Sequence, residues 1–163
     1  MMKFTNFKDL YDNSPDDLKK LVWDQWNAPQ NSEWHPEGNT LKHIIYVVKR
    51  AIKYHPDDND MIISAFFHDL GKFYTLGVNP KTGKPTAYGH EHKSTEFVKF
   101  YSSWIESMGG DPSVVEYVVK NHMLIKPKVW EVMRKVKKDV IINDLSYQKL
   151  VEFGKLDKGG NEL

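Results

Sequence analysis

"SAFFHDLGK", Ser64 to Lys72, ends an apolar run with a histidine and an aspartate side by side. Burying a carboxylate among Ala and Phe is costly unless a positive charge compensates it, and a neutral imidazole brings none. The pair therefore belongs either at a solvated helix end or beside a cation. Upstream of it, Met61, Ile62, Ile63, Ala65, Phe66 and Phe67 are apolar nearly all round a helical wheel. A helix opened by Asp58 to Asp60 and stopped by Gly71 is thus predicted at the centre of the fold.

On the amino-terminal side, Ser14-Pro15-Asp16-Asp17 has the form of a cap, a proline at the first helical position and an acidic first turn, for a helix to about Trp26. A polar loop, Asn27 to Gly38, follows. Asn39 or Thr40 then caps a helix to about Tyr54, with Leu41, Ile44, Ile45, Val48 and Ile52 as its stripe, Val47 and Ala51 widening it, and His43 at its edge. On the carboxyl side, Asn79-Pro80 and Thr82-Gly83 predict a loop or short hairpin within residues 74–88, the one place for β structure.

Helical spacing resumes from His90 to Met108 and closes at Gly109-Gly110. Asp111-Pro112 restarts a helix to about His122, and further helices are read from Pro127 to about Val136 and from Ser146 to about Lys158. The intervening "DVIINDL" suits strand or helix. The expectation is an all-α single domain of about six to seven helices.

A chain of 163 residues with 23 Lys and Arg against 22 Asp and Glu has no general field for nucleic acid or an anionic membrane. Without cysteine, disulfides, thiolate metal sites and thiol nucleophiles are excluded, and a metal must find His, Asp or Glu. No apolar run reaches signal-peptide or membrane-span length, so a cytoplasmic location and no membrane partner are expected.

At 100° per residue, His90 shares a face with Phe97, Tyr101 and Met108, while His92 falls about 200° away, in solvent. Val114, Val118 and His122 line one face of the next helix, as Leu150, Phe153 and Asp157 do in the last. Five elements thus turn His43, His68-Asp69, His90, His122 and Asp157 toward apolar faces. Alone, each has a bland reading, since an inward His is more often a hydrogen-bonded core residue and a helix-end Asp a cap. Together they repeat one expensive placement that a shared cation relieves. Imidazole with carboxylate suits manganese, nickel, cobalt, iron or zinc, with magnesium as a further option.

The ordered set His43, His68-Asp69, His90, His122 and Asp157 resembles the HD superfamily of metal-dependent phosphohydrolases. "HPEGNTLKHIIYVV" (His35 to Val48), "GHEHKS" (Gly89 to Ser94) and "NHMLI" (Asn121 to Ile125) are similar to stretches of the HD domain of some bacterial tRNA nucleotidyltransferases. The similarity covers most of the chain from His35 to Gly159, a motif core of 35–159 within one domain of 1–163.

The resemblance implies His43, His68, Asp69 and Asp157 as primary metal ligands. It implies His90 and His122 as a second set holding another ion or touching phosphate, hence one or two ions. It also implies nucleotide or RNA-end phosphoester substrates, through 2',3'-cyclic phosphodiesterase, 2'-nucleotidase or phosphatase activity. No nucleotidyltransferase head is expected in this length, and "KLDKGG" around Asp157 departs most from the family pattern. Asp69 is expected to ligate metal and accept a proton, and Lys72 to offset phosphate charge. His35, Lys72 and Lys93 are candidate substrate contacts, with Lys81 and Lys84 at the rim and Trp23, Trp26 and Trp34 as base-stacking candidates. Alternatives are a 5'-nucleotidase or deoxynucleoside triphosphate hydrolase of the same superfamily, a non-catalytic metal-containing nucleotide-binding domain, or a helical interaction protein. Broad nucleic-acid affinity is not expected from the near-neutral charge.

Overall fold

The computed structural model describes residues 2–163, and among them the architecture is all-α with one two-stranded ribbon. Helix α4 (Asn59–Phe67) runs through the centre, and its residues from Met61 to Phe67 are almost wholly buried. Its cap is the expected one, with the Asp58 carboxylate accepting from Met61 N–H at 3.1 Å. Helices α3 (Thr40–Tyr54) and α7 (Pro112–Asn121) pack against α4, and α5 (His90–Phe100) packs on α7. The carboxyl-terminal helix α10 (Tyr147–Leu156) closes the layer against α3, α4 and α7. Burial of the Phe66 and Phe67 side chains contributes roughly 1.5–3 kcal/mol each at ordinary transfer values.

Several elements depart from the sequence reading. A helix α1 (Phe7–Asp12), which that reading lacks, is nucleated by a reciprocal capping box between Asn6 and Asp9. Ser14 does not cap α2 (Asp16–Asp24): its hydroxyl donates to Leu10 carbonyl at 2.7 Å, and Pro15 occupies the cap position. The segment expected to be one helix from His90 splits at Tyr101 (φ −98°, ψ 22°) into α5 and α6 (Ser102–Ser107). The split turns Ile105 and Met108 into the core. Past α7, the Pro127 segment breaks into α8 (Pro127–Val132) and α9 (Lys135–Ile142), so most of "DVIINDL" is helical or turn.

These divisions bring the total to ten helices among the described residues, above the expected six or seven. The ribbon pairs β1 (Gly77–Val78) with β2 (Pro85–Thr86), inside the stretch predicted as a hairpin. Gly71 also differs in its role. It is not a left-handed helix stop; a Cβ there would lie 2.4 Å from the His90 carbonyl oxygen and 2.8 Å from Ser94 N. The glycine lets the turn after α4 dock on the first turn of α5, with Gly71 N–H donating to Ser94 Oγ at 2.8 Å. Among the described residues no helix is long and apolar enough to cross a membrane.

Candidate metal centre

His68 and Asp69 occupy the turn just past α4, both buried. On α3, His43 lies among Ile44, Val47 and Ala51 and is fully buried, deeper than the edge position its wheel suggested. His90 opens α5, His122 follows α7, and Asp157 follows α10 with its side chain only 6% exposed. All six side chains expected from the sequence to be metal ligands converge. His92, assigned to solvent, is 72% exposed.

They form two groups joined at one carboxylate. In the first, His43 Nε2 lies 3.0 Å from Asp157 Oδ1, 3.4 Å from Asp69 Oδ2 and 3.3 Å from His68 Nε2. His68 Nε2 completes it at 3.2 Å from Asp69 Oδ2 and 3.4 Å from Asp157 Oδ1. In the second, His90 Nε2 is 3.0 Å and His122 Nε2 3.5 Å from Asp69 Oδ1, and these two nitrogens are 3.2 Å apart. Asp69 thus gives one oxygen to each group.

The outer ring nitrogens explain why the inner ones face one another. His68, His90 and His122 present Nδ1 to the carbonyls of Ala65, Ala87 and Val119 at 2.7, 2.9 and 2.6 Å. A carbonyl only accepts, so these nitrogens carry the hydrogen and leave Nε2 with a lone pair. His43 Nδ1 is held likewise by Glu37 Oε1 at 3.0 Å. Two imidazole pairs therefore meet lone pair to lone pair, a repulsive arrangement unless a proton or a cation stands between them. Ligands at about 2.1 Å around one ion are separated from each other by about 3.0–3.4 Å, as the spacing within the first group is. The donor set fits a divalent ion of the transition series in the first group and a second in the other.

Charge reinforces the fit. Burial works against ionisation of Asp69, but His68, Lys72 and the hydrogen bond with His122 hold its carboxyl well below the usual range. Asp157 behaves likewise: burial is overcome by Lys126 and His68. His68 is pushed up to about 10, because Asp69 and Asp157 outweigh the burial that would discharge it. Burial lowers His122, against the pull of Asp69. In the metal-free protein a proton on His68 meets the demand that a cation would meet.

Lys72 Nζ sits 2.9 Å from Asp69 Oδ2 and also contacts Gln30 Oε1, so it is a largely buried counter-charge. His35 shares Glu37 Oε1 with His43 at 3.2 Å, and burial together with the neighbouring His43 and Lys72 lowers it to about 4. Lys93 is not brought to the cluster; its ammonium pairs with Glu96 at 2.9 Å and lies over Phe97. Lys84 pairs with Glu33. The rings of Trp26 and Trp34 are half or more exposed, each with a lysine over its face, Lys42 and Lys128.

Sequence reasoning missed three contributors. Glu37 orients His43, and its Oε2 accepts from Gly160 N–H at 2.7 Å. Burial opposes its ionisation, yet the hydrogen bonds from His43 and Gly160 lower it to about 2. Lys126 Nζ lies 3.4 Å from Asp157 Oδ2. Arg50, buried in α3, donates to the carbonyls of Leu156, Lys158 and Glu162 at 2.8 Å each and to that of Gly160, fixing the strand of chain that carries Asp157. Glu37 and Lys126 both stand inside or beside motif stretches that were read, while Arg50 left no local signal.

Comparison with known proteins adds a partial likeness. Multifunctional CCA proteins of Burkholderia cenocepacia and Herminiimonas arsenicoxydans are each 36% identical over 74 residues, and that of Shewanella denitrificans is 34% identical over the same length. The match covers 45% of this chain and 17% of each relative, so the chain spans a small part of the proteins it matches. No family model matches the chain, and no solved structure does. Over less than half of its length, the chain is similar to multifunctional CCA proteins.

Proposed function

We propose that the protein is a metal-dependent phosphohydrolase of the HD superfamily acting on nucleotide or RNA-end phosphoesters in the cytoplasm, with residues 1–163 as one HD-type domain. The observation that carries this reading is the sharing of Asp69 between two groups of inward Nε2 atoms. The names of the similar CCA proteins support a substrate in nucleotide or RNA chemistry.

His43, His68, Asp69 and Asp157 would hold a first ion, and Asp69, His90 and His122 a second. A divalent cation there would supply activated water near neutral pH and polarise a phosphoryl oxygen. The protein's own groups do the rest. Asp69 has both oxygens engaged and a depressed pKa, so its part is to hold the two sites at a fixed separation rather than to accept a proton. Lys72 balances Asp69 at the inner side, and Lys126 brings a second ammonium where a phosphate dianion approaches Asp157. His35, uncharged at neutral pH, lies beside His43 at the rim, where it contacts substrate by hydrogen bonding. Lys93, paired with Glu96, is at most an outer contact.

The test is a panel of 2',3'-cyclic nucleotides, 2'-, 3'- and 5'-monophosphates and deoxynucleoside triphosphates, assayed with manganese, nickel or cobalt. Turnover that disappears in the His68→Ala/Asp69→Ala double variant supports the reading. Undiminished turnover in that variant removes the chemistry from this site. A profile confined to 5'-monophosphates or triphosphates moves the protein to that branch of the same chemistry.

A further inference from the structure

Beside the cluster, a cleft of about 430 Å³ runs between α8 and α10. Its polar end is formed by His122, Asp157 and Lys126, so one ligand side chain of each group and one ammonium face it. The rest of its wall is mainly apolar or aromatic, with Ile125, Pro127, Trp130, Tyr147 and Val151; a further charge on it, Lys155, is paired with Glu152 at 2.9 Å. The Trp130 and Tyr147 rings lie 26° from parallel with centroids 6.4 Å apart. Gly154 lets α10 approach Ile125 closely along this wall, because a Cβ there would come 2.6 Å from Ile125 Cδ1.

The gradient from charged to aromatic along one cleft specifies an amphipathic ligand, anionic at one end and planar and apolar at the other. Its volume falls in the range of small-molecule sites, about 300–1,000 Å³. We infer that this cleft seats the organic part of the substrate, a single planar ring system of mononucleotide size, against Trp130 and Tyr147 while the phosphate meets Lys126 and the ligand groups. The inference rests on the hydrolase reading and narrows it from RNA ends to mononucleotides. An aromatic ring gains contact with these side chains that a bare sugar phosphate does not, and such stacking is worth about 1–3 kcal/mol per base.

The experiment is calorimetric binding to the manganese-loaded full chain of two slowly hydrolysed probes, adenosine 5'-phosphorothioate and inorganic thiophosphate. The expected result is at least about a fivefold tighter Kd for the nucleoside probe, the low end of that stacking energy. Trp130→Ala should bring the ratio close to one while thiophosphate affinity and manganese content hold. Val151→Trp fills the cleft without removing a packing group, and it should do the same, which keeps the inference testable if Trp130→Ala does not fold.

A ratio near one in the unaltered protein, or a ratio that survives both changes, overturns the inference. So does much tighter binding of an oligoribonucleotide ending in a phosphorothioate than of the mononucleotide, which would give the cleft to RNA. Because binding is read without turnover, absence of hydrolysis across the ester panel defeats the hydrolase reading and leaves this ratio to decide the cleft.

Discussion

The two ligand groups that meet at Asp69 are built alike in their histidines and unlike in their charge. Each pairs two imidazoles whose Nδ1 atoms are tied outward, so each presents two lone pairs. The first group adds the Asp157 carboxylate to its share of Asp69 and has Lys72 and Lys126 alongside; the second has only the other oxygen of Asp69. The difference teaches which group would hold an ion more firmly. More carboxylate charge and four protein donors would give the first group the tighter site, whereas three donors would leave the second open to water or phosphate.

The largest expected effect is at the shared residue. Asp69→Ala should remove both ions and all turnover, read as metal per chain by elemental analysis. Next, Asp157→Ala should empty the first group and lower turnover by at least a hundredfold, whereas His122→Ala should cost only the second ion, from two per chain to one. If those two variants lose metal equally, the asymmetry between the groups is broken.

Removal of the orienting carboxylate is a smaller step. Glu37→Gln leaves His43 in place with a weaker acceptor and should lower affinity for the first ion by about 10–100-fold, the usual range for such partners. Loss of manganese from the second group instead would contradict the connection through His43.

Acidity sharpens the same contrast. In the metal-free protein His68 is raised from its unfolded value of 6.5 to about 10 by Asp69 and Asp157 against burial. A group with a raised folded pKa contributes stability that is fully present below about 6.5 and lost as pH rises through about 10. The metal-free Tm should therefore fall between pH 7 and 10, and saturating manganese should flatten that fall, since the ion takes the place of the proton. The smallest effect belongs to Lys93→Ala, which should leave metal content unchanged and stability within about 0.5 kcal/mol, as surface changes usually do.

What the sequence made legible follows from how local each signal is. The apolar wheel of α4 and the Asp58 cap need only neighbours along the chain, and they were readable, as were the hairpin turns and the outward aim of His92. The break at Tyr101 was not, because no glycine or proline marks it; packing of Ile105 and Met108 sets it. The α1 box, with Asn6 and Asp9 three apart, was present in the sequence, as were Phe7, Leu10 and Tyr11 at helical spacing, but a helix of 6 residues is too short for that pattern to stand out.

At the candidate centre the inward His and Asp residues were legible because their chemistry is conspicuous on apolar faces. Glu37, Lys126 and the Arg50 clamp act across distances in sequence of up to 123 residues, as between Glu37 and Gly160, and only folding brings them together. Gly71 shows the same limit, since its smallness answers to His90 and Ser94 rather than to its own helix.

Anomalous scattering from crystals grown with manganese tests the central claim most directly. The account predicts two peaks, one on each side of the Asp69 carboxylate, the stronger within reach of His43, His68 and Asp157. No peak at Asp69, or ions held by other residues, would contradict it.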